Sequence, residues 1–261
     1  MERRRIDLDK NEFPGFVRPL LDGATVYDSS CSAVARVWFL DRDGGYYLKC
    51  APKGTLQREA ELTRFFHERG MAARVLAYES LERDWLLTER VSGEDCICPV
   101  YLNDPKRLCD TTAQLLRWLH EQDPSGCPVA DRTAEYLETA EQNYRTGVHD
   151  LRLFSGKWSY SSPEKAWQVV AARGRELKAD TLIHGDYCLP NIMLNNWKFS
   201  AFVDLDTGGV GDRHVDLFWG VWTLKFNLNT DAYEKRFLDV YGRENVDESL
   251  FPVIAAIEVF G

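Results

Sequence analysis

Short apolar runs separated by turn signals fill the first ninety residues, and past them apolar positions recur at helical spacing. Residues 34–40 are apolar and strand-prone, Asp41-Arg42-Asp43-Gly44-Gly45 is a turn, and residues 46–50 continue as a strand. This pattern predicts a hairpin with Lys49 near the end of its second strand. In Q-R-E-A-E-L-T-R-F-F-H-E-R-G, Leu62, Phe65 and Phe66 share one helical face, Glu59 lies on the first turn and Gly70 closes the helix. Two more strands, 75–79 and 85–89, flank a turn at Glu82-Arg83-Asp84, and T-E-R-V-S-G-E-D marks a boundary. Helical spacing then covers 108–120, 133–144, 166–177, 231–241 and 251–260. The pattern predicts an α+β protein with a strand-rich lobe over residues 1–91, antiparallel with one helix, and a larger helical lobe over 92–261.

Composition narrows the class. A chain of 261 residues with 44% hydrophobic and 28% charged residues can bury a sizeable core. A net charge of -9 argues against a nucleic-acid partner and would suit a cationic ligand. Seven cysteines without a paired framework read as reduced thiols in a cytoplasmic protein. Cys96 and Cys98 form a C-x-C with no second pair or histidine cluster to complete a zinc site. No targeting segment is visible, and the longest apolar runs are too short to span a bilayer. No obligate protein partner is evident.

The most informative stretch runs from His184 to Asp216 and begins H-G-D-Y-C-L-P-N-I-M-L-N-N-W-K-F-S-A-F-V-D-L-D. Phosphoryl transfer to a hydroxyl needs a carboxylate at the nucleophile and oxygen ligands for Mg²⁺. Asp186 offers the first, as the catalytic residue and a contact to the acceptor; Asn191 and Asp204 offer the metal ligands. Gly185 allows a sharp turn and Pro190 breaks helix, so 186–191 reads as a loop. Residues 191–194 and 199–205 read as a hairpin about Asn195-Asn196, which would return Asp204 beside Asn191. Taken singly, H-G-D is an ordinary turn and Asp204 could simply follow a strand; the joint pattern is what points to chemistry. Cys188, inside the loop, reads as a small packing residue.

The block H-G-D-Y-C-L-P-N-I-M, followed by F-x-D-x-x-x-x-G-x-x-D-x-x-x-D, resembles the catalytic core of the aminoglycoside phosphotransferases, above all the 3′-phosphotransferases. That resemblance implies a two-lobed protein-kinase-like fold and the use of Mg²⁺ and ATP, with GTP an alternative. In the kinase arrangement a strand lysine holds the phosphates and pairs with a glutamate on the next helix, which here means Lys49 and Glu59. D-S-S-C-S-A resembles the family's nucleotide-positioning loop, with Ser30 first and Ser32 second as the phosphate contact. Tyr47, two residues before Lys49 on the same strand face, matches an aromatic that stacks on adenine, or is a core tyrosine. Glu89 and Val91 match the hinge, whose main chain binds adenine. His184 and Asp216 match residues that hold the loop in place, while His120 and His149 show no partner pattern and read as structural or solvated.

The chain departs from the family where the acceptor would bind. I-E-V-F keeps Glu258 but has Ile257 in place of an aspartate, Thr207 replaces an arginine, and the loop around Trp158 reads G-K-W-S-Y-S-S. The acceptor pocket would then combine Glu258 and Asp186 with aromatic surface from Trp158, Tyr160, Trp219, Trp222 and Phe226, although some of these read as core and Trp222 with Phe226 as helix packing. The resemblance implies an ATP-dependent phosphotransferase acting on a small hydroxylated acceptor, an aminoglycoside or a less cationic molecule. A choline-, sugar- or macrolide-kinase-like enzyme is the alternative, and a non-catalytic nucleotide-binding module a further one.

Overall fold

The computed structural model describes residues 4–30 and 34–261, so Ser32 lies outside the described residues. Along the chain come β1 (Arg4–Arg5), α1 (Arg18–Leu21), β2 (Thr25–Asp28), β3 (Arg36–Asp41), β4 (Tyr46–Pro52), α2 (Gln57–His67), β5 (Val75–Ser80), β6 (Arg83–Glu89) and β7 (Glu94–Asp95). Then follow α3 (Pro99–Leu102), α4 (Pro105–His120), α5 (Arg132–Thr146), α6 (Pro163–Arg173) and β8 (Thr181–Ile183). The hairpin β9 (Ile192–Asn195) and β10 (Lys198–Phe202) precedes β11 (Gly209–Gly211), α7 (Arg213–Leu228), α8 (Glu234–Gly242) and α9 (Phe251–Glu258).

Two compact units result, one of Met1–Cys98 with Ile192–Asp206 and one of Pro99–Asn191 with Thr207–Gly261. The β9–β10 hairpin, counted with the helical lobe from sequence, groups with the first unit. The reason is its contacts: β9 pairs with β7, and the Phe202 N–H donates to the Met71 carbonyl at 2.8 Å.

The first unit is an antiparallel sheet in the order β1-β2-β3-β4-β6-β5. Alternation sends Trp38, Leu40, Leu48, Cys50, Trp85 and Leu87 to one face, where Phe13, Val17 and Leu21 of the preceding segment cover them. Trp38 stacks on Trp85 and meets Phe13 edge-on at 5.2 Å. The opposite face carries Ala51 and Leu86 against Leu56 and Ala60 at the start of α2. Lys49 belongs to this second face, and that is why it meets α2. The turn between β5 and β6 falls at 81–82, so β6 begins at Arg83, two residues before the strand start expected from the sequence pattern.

The second unit is helical. Capping is explicit in the sequence: Asp104 precedes Pro105 of α4, Asp131 starts α5, Ser162 precedes Pro163 of α6, and Asp212 starts α7, each accepting from a first-turn N–H. Residues 253–257 of α9 are all buried, so this helix is the unit's centre rather than an amphipathic surface element. The short antiparallel pair β8–β11 delivers the chain into the segment that starts at His184. Among the described residues no helix is long and apolar enough to cross a membrane.

Candidate active site

The first unit assembles a lysine between two carboxylates. The Lys49 Nζ donates to Glu59 Oε2 at 2.8 Å and Oε1 at 3.0 Å, and to Asp204 Oδ1 at 2.9 Å. Burial opposes the ammonium's charge, but the carboxylates of Asp204 and Glu59 outweigh it and raise the Lys49 pKa, so the side chain is a fixed cation. Burial lifts the Glu59 carboxyl, Lys49 pulls it down, and Asp204 and Asp206 push it up again, to about 7 in all.

The contact with Asp204 depends on an unusual backbone. β10 stops at Phe202, three residues short of the end expected from sequence, and Asp204 sits beyond it at φ 55°. Aspartate is one of the few residues with a Cβ that tolerates this region, and a strained backbone of this kind is a mark of functional sites. The Asp204 side chain is 46% exposed, and its Oδ2 has no hydrogen-bond partner among the described residues.

Other residues singled out from sequence are placed around this centre. Tyr47 packs on Phe39 on the same strand face as Lys49. The exposed Ser30 ties its hydroxyl to the Val37 N–H at 3.0 Å. The Glu89 N–H donates to the Arg74 carbonyl, whereas the N–H and carbonyl of Val91 have no partner among the described residues. One residue escaped the sequence reading. Asp84 is fully buried and accepts from the Leu56 N–H at 2.9 Å and the Ser80 hydroxyl at 2.7 Å. It thereby pins the start of α2, and with it Glu59.

In the second unit, the loop from His184 to the 3-10 turn Leu189–Asn191 is held from its backbone. The buried Asp216 of α7 accepts from the His184 N–H on Oδ2 and the Gly185 N–H on Oδ1, both at 2.7 Å. Gly185 has φ 85°, and a Cβ there would meet the Thr207 carbonyl oxygen at 2.0 Å, so only glycine fits. His184 is buried, and its Nδ1 accepts from the Asp186 N–H at 3.3 Å. His120 is neither solvated nor isolated: its Nε2 meets Asp216 Oδ2 at 3.1 Å and its Nδ1 meets the Tyr241 hydroxyl at 2.8 Å. His149, by contrast, is exposed. The Asn191 Nδ2 donates to both the backbone carbonyl and Oδ2 of Asp186, at 3.0 and 2.8 Å. Asn191 Oδ1 has no partner among the described residues.

Asp186 opens into a cavity of about 320 Å³ whose lining includes Arg132, Tyr136, Thr207, Trp219 and Glu258. The Tyr136 hydroxyl and the Trp219 indole N–H both donate to Glu258 Oε1, at 2.6 and 3.0 Å. Burial raises the Glu258 carboxyl, these two donors lower it and the charge of Asp186 raises it, to about 7. The Arg132 Nε donates to the Thr207 carbonyl at 2.9 Å, so a guanidinium enters the same cavity. Neither Trp158 nor Phe226 lines it: Trp158 is buried against Phe218 at 4.9 Å, and Phe226 stacks on Trp222 in solvent. Tyr136 and Arg132 carried no motif by which sequence could have marked them.

A model of the phosphotransferase enzyme family matches residues 30–251. The protein named "Probable aminoglycoside 3'-phosphotransferase" of Lactococcus lactis subsp. lactis (strain IL1403) is 44% identical over 262 residues, covering 100% of this chain and 99% of the relative. Among solved structures, an aminoglycoside-3'-phosphotransferase of type VIII superposes with a TM-score of 0.72 at 24% identity, over 99% of this chain and 94% of its own. Aminoglycoside phosphotransferase APH(3'')-Id from Streptomyces rimosus, solved with ADP and streptomycin, gives 0.69 at 21%, over 85% of this chain and 90% of its own. These two likenesses establish the two-lobed, protein-kinase-like fold. With a family model spanning most of its length and a relative of 44% identity matched end to end, the chain belongs to the phosphotransferase enzyme family.

Proposed function

We propose that this phosphotransferase moves the γ-phosphate of ATP to a hydroxyl of an aminoglycoside-type acceptor, the 3′-hydroxyl being the position named for its 44%-identical relative. The observation that carries this reading is the pairing of Asp186 and Glu258 in one cavity, one carboxyl for the reacting hydroxyl and one for an amino group. The first unit serves as the nucleotide-binding lobe. Lys49, charged and braced by Glu59, holds phosphate oxygens; the open backbone groups of Val91 suit adenine, with Glu89, Tyr47 and Ser30 around the nucleotide. The six described cysteines are all free, which fits a cytoplasmic enzyme working where ATP is plentiful.

No cluster of three or more His, Cys, Asp and Glu among the described residues could hold a metal. Mg²⁺ does not need one, since it takes one or two protein oxygens and completes its shell with phosphates and water. Asn191 and Asp204 fit that demand. The amide of Asn191 is turned by its bonds to Asp186 so that Oδ1 is left over, and Asp204 keeps Oδ2. When bound, Mg²⁺ neutralises charge on the transferring phosphate. Asp186 orients the acceptor hydroxyl and takes its proton as the oxygen bonds to the γ-phosphorus and the bond to the β-phosphate oxygen breaks.

An ADP-release assay over amino-sugar antibiotics, macrolides, choline and simple sugars tests the reading. Turnover is expected with the first group alone, and strong turnover of choline or a macrolide with none there would sink it. Glu258 adds a pH signature. Its carboxyl, raised to about 7, is neutral below that pH and anionic above it. For a cationic acceptor, kcat/KM should therefore climb through pH 7 and level off. Glu258→Gln should raise KM and remove that limb; a limb unchanged in the variant would assign it to another group.

A further inference from the structure

Helix α7 carries more aromatic surface than its packing uses. Trp219, Trp222 and Phe226 follow one another at spacings of three and four, which places them along one helix face. Trp219 forms part of the cavity wall. Its ring meets Trp222 edge-on at 5.3 Å, and Trp222 stacks on Phe226 at 5.0 Å with 13° between planes. Phe154 covers part of the first two, but Phe226 remains 69% exposed. The ladder thus begins inside the cavity and ends in water. At about 320 Å³ the cavity lies at the small end of ligand sites, so an acceptor of several rings has to continue outside it.

The charges in the cavity are few. Asp186 and Glu258 are the carboxylate side chains that line it, Arg132 is the one cation, and no other Lys, Arg, His, Asp or Glu side chain is among the lining residues. With Asp186 at the reacting hydroxyl, Glu258 is left for one ammonium, and the guanidinium of Arg132 repels a second. Resting on the phosphotransferase reading above, we infer that the acceptor is recognised through a single ammonium at Glu258 and a ring stacked on the Trp222–Phe226 end of α7. The class is an amino-sugar glycoside with one amino group near the reacting hydroxyl and a flat or weakly charged ring attached to it. Aromatic faces attract such rings and any cationic edge they carry.

Calorimetry on the nucleotide-free protein tests this with three probes: methyl 2-amino-2-deoxyglucoside, its p-nitrophenyl counterpart and kanamycin A. The aryl glycoside should bind about tenfold tighter than the methyl one, as expected for one ring stack. Phe226→Ala should erase most of that gap and leave the methyl glycoside's Kd unchanged; because Phe226 is exposed, the variant should fold. Trp222→Phe should narrow the gap less. The inference is overturned if the gap survives Phe226→Ala, or if neither glycoside binds. It is also overturned if kanamycin A binds about 100-fold tighter than the aryl glycoside through a salt-screened polycation contact. Rapid ADP release with kanamycin A and an unaffected Phe226→Ala would remove the ladder and leave the phosphotransferase reading standing. Ladder-dependent binding with no phosphate transfer to any acceptor would do the reverse.

Discussion

Asp186→Asn is expected to lower kcat by about 10²–10⁴-fold, the usual worth of a positioned general base. The substitution preserves shape: the residue still faces Asn191, whose Nδ2 lies 2.8 Å from Oδ2 of the native carboxylate. What is lost is the negative charge proposed to orient the hydroxyl and the basicity proposed to accept its proton. Nucleotide recognition is assigned to Lys49, Glu59 and the Val91 backbone, none of which the substitution touches. ATP should therefore bind the variant as it binds the native enzyme, and titration calorimetry beside steady-state kinetics separates the two effects. A kcat within a few-fold of native would show that Asp186 is not the base. A parallel loss of ATP affinity would place it at the nucleotide instead.

The parts of this site that sequence disclosed are those encoded locally. Asp186 and Asn191 lie five residues apart across a glycine and a proline, so a reader of the chain sees both the groups and the turn that joins them. Lys49 and Glu59 follow from a hairpin signal and a helical stripe, each a few residues long. Prediction fails where distant chain segments decide the outcome. Tyr136 reaches Glu258 from 122 residues away, and nothing in its own neighbourhood marks it; Trp219, expected on the acceptor pocket's aromatic surface, does line the cavity. The β9–β10 turn shows a finer failure. Asn195-Asn196 is the better turn pair by residue type, yet the chain turns at Asn196 and Trp197, with φ 50° and 67°, because Asn195 pairs with Lys198. The register that buries Ile192, Leu194, Ala201 and Phe202 overrides the preference of an aromatic for extended backbone. The end of β10 is likewise tertiary: the Phe202 N–H is spent on Met71, which frees Asp204 to turn toward Lys49.

Asp216→Ala should be the most damaging substitution outside the reacting groups, for reasons visible in its hydrogen bonds. The carboxylate is fully buried and accepts from the backbone N–H groups of His184 and Gly185 and from the His120 ring. Burial lowers the His120 pKa while Asp216 resists, and the balance is downward, so the ring is neutral. Its partners then assign the tautomer: Nε2–H donates to Asp216 and Nδ1 accepts from the Tyr241 hydroxyl. Removing the carboxylate strands three donors at once, the His184 N–H and the His120 ring among them buried. Each buried donor left unsatisfied costs about 1–3 kcal/mol, so the two buried ones cost about 2–6 kcal/mol, and at roughly 2–4 °C per kcal/mol the melting temperature should fall by about 4–24 °C. Asp216→Asn keeps one acceptor oxygen but turns the other into a donor facing an N–H, so its melting temperature should fall less. Both variants should lose kcat when assayed well below melting, because the N–H groups released, both in Asp216→Ala and one in Asp216→Asn, belong to the residues just before Asp186. Tyr241→Phe supplies the graded case: it leaves Asp216 and both backbone bonds intact and removes the hydroxyl that donates to His120 and lies beside Arg213. A small loss of stability with a near-native kcat there, against a collapsed kcat in Asp216→Asn, would locate the control of the loop in the two backbone bonds; equal kcat losses would mean that the imidazole relays the position of Tyr241 into the loop.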